Sequence, residues 1–246
     1  ENLAKLPSNI LCVAKSTEQI ARTNARGAIA RRDVPAGIIY FESDPFMEIL
    51  AKTSAAQFLQ EGHPVAYSEG YIAGTTDFKG MILRAKSKNV RSLFLYGYDE
   101  TGYAIKQARE LGYTGPLYLT NTVTSPGIRE VAGDAVDGVF LSTYRAPRGP
   151  RFDAFLSEFR KRTGREPAFE VSTFPSYDIA QLLVQAYGRK DTSSSKSSDP
   201  IRAYLYSVKN YDGLSGTIAI DEDGATRSLR SDFYQFREGT VQKPLS

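Results

Sequence analysis

The sequence predicts an α/β fold built on a doubly wound parallel sheet, and three observations carry the prediction. Short apolar runs alternate with stretches of helical periodicity from Ala36 to Thr143, helix-capping and turn residues stand at the joins, and residues 99–111 have one clear apolar face. Strands alternating with amphipathic helices imply right-handed βαβ crossovers and a sheet covered on both sides.

Residues 16–32 read as a helix feeding a first strand, AGIIYF at 36–41. A helix over 46–62 follows, then a strand in PVAYSE, 64–69, and a helix in FKGMILRAKS opened by an N-cap among residues 75–77. SLFLY, 92–96, leads into the helix 99–111. There Asp99 is the expected N-cap, Gly112 the C′ residue that tolerates positive φ, and Ala104, Ile105, Ala108 and Leu111 the buried face. LYLTN at 117–121, a short helix near 126–132 and DGVFLST at 137–143 complete the series. The run STYRAPRGP, 142–150, then interrupts regular structure and marks a crossing strand or linker. Beyond it, helices at about 152–163, 176–188 and 199–208 have no strand of their own until GTIAID at 216–221. SDFYQFREGTVQ, 231–242, reads as a last hairpin or edge strand, and the polar tract 191–200 as a mobile loop. So strand-poor a tail cannot bury both faces of a sheet, and it reads as part of a second lobe whose partner strands lie elsewhere.

Composition narrows the function classes. At 246 residues and 41% hydrophobic, the chain can bury a sizeable core. A net charge of +3 spread along it gives no argument for nucleic acid or an anionic membrane, and Arg22, Arg26, Arg31 and Arg32 read as a solvated helix face. One cysteine, Cys12, and one histidine, His63, are too few for an internal disulfide or a His/Cys metal site. No apolar run is long enough to span a bilayer, so no membrane insertion is expected of this chain.

No G-x-G-x-x-G fingerprint and no phosphate loop occurs, so no nucleotide cofactor is expected. His63, in EGHPV, precedes a strand, whereas catalytic and binding groups of such sheets follow strands. Asp44, Asp77, Asp99 and Asp134 stand where helices begin or turns close, and capping accounts for them without general acid–base chemistry. No catalytic residue is therefore assigned, and binding is the better class.

Ligands of open parallel sheets bind beyond the carboxyl ends of the strands. The loops meeting that rule are ESDPF (42–46), GYIAGTT (70–76), GYD (97–99), NTVTSP (121–126) and TYRAP (143–147). They carry Phe46, Tyr71, Tyr98, Tyr144, Ser43, Asn121 and Thr122, aromatic walls with uncharged hydrogen-bonding groups. Tyr98 leads, because its loop is short and tied to rigid elements on both sides; Tyr96, at the end of SLFLY, reads as packing.

Four stretches together resemble a known family: residues 75–113 (TTDFKGMILRAKSKNVRSLFLYGYDETGYAIKQARELGY), 131–147 (VAGDAVDGVFLSTYRAP), 155–187 and 201–226. In order and spacing they are similar to the type I periplasmic binding fold, specifically the leucine/isoleucine/valine-binding-protein-like solute receptors of ABC importers. The resemblance implies two α/β lobes joined by crossing strands, with ligand between them. It assigns 10–143, with 230–243 returning, to the carboxyl-terminal lobe, and 148–225 to an incomplete amino-terminal lobe. About 100 or more residues of that lobe are expected to lie outside the chain. It also implies an extracytoplasmic solute-binding protein that hands a small polar ligand to ABC permease subunits, periplasmic and open to a lipid anchor in the full-length form. A ligand-sensing receptor module on the same fold is the alternative. Phe46 and Tyr98 match the family's aromatic ligand positions. The acidic position that holds a ligand ammonium falls on Asn121, or with a one-residue slip on Thr122, and neither carries charge.

Overall fold

The computed structural model describes residues 11–13, 16–167, 169–188, 199–226 and 228–242. The opening ENLAKLPSN and most of the 191–200 tract lie outside the described residues. The chain divides into two compact units, one of Thr17–Thr143 with the residues from Ser231 onward, the other of the described residues up to Ser16 with Tyr144–Arg230.

In the first unit, α1 (Thr17–Ala30) leads to β1 (Ala36–Phe41), α2 (Pro45–Gln60), β2 (Tyr67–Tyr71), α3 (Lys79–Ser87), β3 (Ser92–Tyr96), α4 (Thr101–Glu110), β4 (Leu117–Leu119), α5 (Pro126–Ala132) and β5 (Phe140–Thr143). The strands lie in the order β2-β1-β3-β4-β5, all parallel. Period-two alternation sends neighbouring side chains to opposite faces. Ile38, Phe94, Tyr96, Tyr118 and Phe140 pack with α1 and α2, while Ile39, Leu93, Leu95, Leu119 and Leu141 pack with α3, α4 and α5. The doubly wound sheet expected from the alternating pattern is therefore present. Its far edge comes from the end of the chain, where β8 (Asp232–Arg237) runs antiparallel to β5 and hairpins into β9 (Thr240–Val241).

Tyr96 does end its strand as packing. Its ring is buried, and its hydroxyl shares a 2.7 Å hydrogen bond with Ser54 Oγ on α2. Tyr96→Phe is expected to cost about 1 kcal/mol of stability, the scale of one buried hydrogen bond, with Ser54 Oγ still able to donate to the Ala21 carbonyl; denaturant unfolding of the variant checks it.

The second unit holds α6 (Pro150–Thr163), α7 (Glu170–Gly188), α8 (Asp199–Ser207), β6 (Tyr211–Gly213) and β7 (Gly216–Ile218). Here the sequence reading is corrected twice. A strand, β6, precedes the expected one, because Tyr211–Gly213 pairs antiparallel with Gly216–Ile218 across a tight turn. Cys12 also bridges in parallel to Ala225, so the described residues before α1 belong with this unit instead of starting the first lobe near residue 10. Among the described residues, no helix is long and apolar enough to cross a membrane.

Candidate ligand-binding site

The strand order of the first unit reverses between β1 and β3, since the chain moves outward from β1 to β2 and then returns to the other side. Loops leaving the carboxyl ends of strands flanking such a reversal diverge to opposite faces and leave a crevice. Residues 42–44 leave β1 and residues 97–100 leave β3, so the expected Tyr98 corner stands at that crevice.

Each loop is built by short-range chemistry. Asp44 is the N-cap of α2: its Oδ1 accepts from Phe46 N at 2.8 Å and Met47 N at 3.0 Å, and Pro45 supplies a first-turn residue that needs no acceptor. The cap turns Phe46 outward, 37% exposed. Asp44 Oδ2 is left to face the other loop, where the Tyr98 hydroxyl donates to it at 3.0 Å. Tyr98 is 43% exposed, and its ring meets Phe41 edge-on with centroids 6.5 Å apart. Partial burial, then the bond to Asp44, raise the Tyr98 phenol above its ordinary value, so the hydroxyl stays a donor at neutral pH.

Behind Tyr98 the expected cap is corrected. Asp99 does not cap α4; that position belongs to Glu100, and the Asp99 carboxylate instead accepts from Ser125 Oγ at 2.5 Å. The loop after β3 is thus tied to the loop after β1 through Asp44 and to the loop after β4 through Ser125. Asn121 and Thr122 lie in a 3-10 turn of that third loop, both half-buried; Thr122 N donates to Thr120 Oγ1 at 3.4 Å, and the Asn121 carbonyl accepts from Thr124 Oγ1 at 2.7 Å. Ser43 is exposed beside Asp44.

Tyr71 differs from its expected place. It is 2% exposed, its ring stacked on Phe41 and edge-on to Phe78, and only its hydroxyl reaches the rim, donating to Glu100 Oε1 at 2.8 Å. Burial foremost, then that bond, push its phenol far up. Tyr144 is buried in the other unit, its hydroxyl bonded to the Ser215 carbonyl. Sequence reasoning gave Asp44 a capping role alone and did not single out Glu100. Asp44's second role needs β1 and β3 to be neighbours, which no local signal reports.

A groove of about 630 Å³ lies elsewhere, beside Phe155, Phe159, Tyr177 and Leu214 in the second unit. Its rim charges are already paired, Arg162 with Glu158 and Arg151 with Asp212, and it follows no parallel strand. The rim of the first unit, with an exposed phenol, an exposed phenyl ring, two carboxylates and a neutral amide, can recognise a small molecule by stacking and hydrogen bonding.

The fold is a doubly wound sheet whose rim loops gather where the strand order reverses. The chain belongs to the periplasmic binding protein family, whose family model matches residues 7–240. It is 25% identical over 215 residues to a Leu/Ile/Val-binding protein homolog 1 of Brucella abortus (strain 2308), a match covering 86% of this chain and 56% of the relative. The chain thus spans about half the length of the curated relative it matches. Among solved structures it is similar to a leucine-binding protein LivK of Thermotoga maritima MSB8, with TM-score 0.84 and 22% identity over 97% of this chain and 68% of that one. It also resembles an R. palustris ABC-transporter solute-binding protein in complex with benzoate, with TM-score 0.79 and 15% identity over 96% and 64% of the two chains.

Proposed function

We propose that this chain is the ligand-capturing part of an extracytoplasmic, periplasmic solute-binding protein that takes up a small polar ligand, an amino acid or a related amide or carboxylate, for the permease subunits of an ABC importer. The observation that carries this reading is the exposed Tyr98, bonded to Asp44 beside exposed Phe46, where the strand order reverses. Tyr98 and Phe46 contact the ligand, while Asn121, Thr122 and Ser43 offer uncharged donors and acceptors. Nothing in that set needs to form or break a covalent bond, and the family is one of solute binders, so the reading includes no catalytic step. With no charge at Asn121 or Thr122, the loop after β4 has no strong anchor for a ligand ammonium, which leaves room for ligands such as the benzoate bound by the R. palustris protein as well as for amino acids.

Calorimetric titration of the full-length protein with L-leucine, L-glutamine and benzoate tests the reading. One of these classes is expected to bind, and Tyr98→Ala to weaken it by about tenfold or more, as loss of an aromatic contact does in a small site. Unchanged affinity in Tyr98→Ala removes Tyr98 from the site.

A further inference from the structure

We infer that Glu100 and Tyr71 are positioning residues of this site: Glu100, braced on Tyr71 from the edge strand, sets where Tyr98 is presented. The inference rests on Tyr98 being a ligand contact. Glu100 occupies the N-cap position of α4, yet its side chain makes no capping bond to its own helix. It turns back over the preceding loop, and Oε1 accepts from both Tyr71 Oη at 2.8 Å and Tyr98 N at 3.2 Å. The Tyr98 carbonyl in turn accepts from Thr101 N at 3.0 Å and Thr101 Oγ1 at 2.6 Å. The backbone of Tyr98 is therefore held from both sides, its N–H by Glu100 and its carbonyl by Thr101. What remains free is the side chain, which swings about two torsions and is stopped by Asp44 and the Phe41 ring.

The brace needs a fixed post, and Tyr71 has the properties of one. It is buried, and it packs against Phe41 and Phe78 with ring centroids 5.7 and 5.0 Å away. Its hydroxyl lies so close to the chain at Gly97 that a Cβ there would come within 1.7 Å. The Tyr71 phenol, Glu100 and the Gly97-Tyr98 backbone thus move as one body. An offset at β2 would be felt at Tyr98, although the Tyr71 ring itself is buried.

Two variants separate positioning from charge. Glu100→Gln keeps an acceptor oxygen of the same reach, whereas Glu100→Leu removes both bonds and keeps the bulk. In the full-length protein, amide exchange at Tyr98 N–H is expected to speed up by about tenfold in Glu100→Leu, the scale of one lost charge-assisted hydrogen bond, and to stay near the wild-type rate in Glu100→Gln. Affinity for whichever of L-leucine, L-glutamine or benzoate binds should follow the same order, falling in the Leu variant and recovering in the Gln variant. Tyr71→Phe, which deletes one hydroxyl and preserves the packed ring, should speed Tyr98 exchange in the same direction and serves where Glu100→Leu does not fold. Unchanged exchange at Tyr98 in Glu100→Leu and Tyr71→Phe overturns the inference. So does a Gln variant that keeps wild-type exchange but loses as much affinity as the Leu variant, because the carboxylate charge would then be acting on the ligand directly. Exchange needs no ligand, so failure of L-leucine, L-glutamine and benzoate alike to bind the wild type counts against the ligand-site reading and leaves the brace to be judged by exchange alone.

Discussion

Asp178→Ala is expected to destabilise the unit that contains α7 by about 3–5 kcal/mol, the cost of leaving several buried donors without their charged acceptor. Asp178 lies on α7 and is fully buried. One carboxylate oxygen accepts from Leu214 N at 2.8 Å, and the other from Ser215 N at 2.7 Å and Ser215 Oγ at 2.5 Å. Those donors form the turn of the β6–β7 hairpin, a pair of three-residue strands too short to be stable alone. Packing is equally close, since a Cβ on Gly213 would stand 2.5 Å from Asp178 Oδ2. The carboxylate therefore closes the hairpin turn from inside, and Tyr144 holds the Ser215 carbonyl on the same turn. Asp178→Asn retains one carbonyl acceptor and should lose about half as much. Urea unfolding of the three proteins measures both effects, and a loss below about 1 kcal/mol in the Ala variant would show that the turn re-forms its bonds with water.

Gly97→Ala is the second large effect. Its new methyl would stand 1.7 Å from Tyr71 Oη and 2.9 Å from Thr101 Cγ2, both held in place by packed neighbours. The conflict should cost about 2–3 kcal/mol, at the upper end of overpacking in a core. The cause can be isolated, because Tyr71→Phe removes the nearest atom and leaves Cζ at 3.0 Å. Gly97→Ala in the Tyr71→Phe background should therefore lose at least about 1 kcal/mol less than in the wild type, a coupling within the range found for residues in contact. Equilibrium unfolding of the four proteins completes the cycle. Strict additivity would sink the claim that Gly97 is required by the Tyr71 hydroxyl, and would weaken the case for the brace.

Much of the first unit was legible in the sequence. AGIIYF and SLFLY are strands over the residues expected, the helix at 126–132 has the expected bounds, and Gly112 takes a positive φ of 70° after α4. Those features depend on residues a few positions apart, where side-chain period and backbone preference act directly. Misreadings fell where one local reading competed with another. Asp99 is a good capping residue, but the extra turn at 98–100 moves the start of α4 to Thr101 and hands Asp99 to Ser125. β6 was overlooked because YDG is short and has no alternating pattern; it is a strand only because β7 lies beside it.

The site divides in the same way. Local residues alone place Tyr98 and Phe46 just after strands, because Gly97 ends β3 and the Asp44-Pro45 cap opens the helix after β1. What they meet depends on the packed fold. Tyr98 finds Asp44 across 54 residues, Tyr71 finds Glu100 across 29, and Asp178 finds Ser215 across 37. Each pairing depends on which elements the core sets side by side, a choice made by burial of whole sheet and helix faces and written in no single stretch of residues.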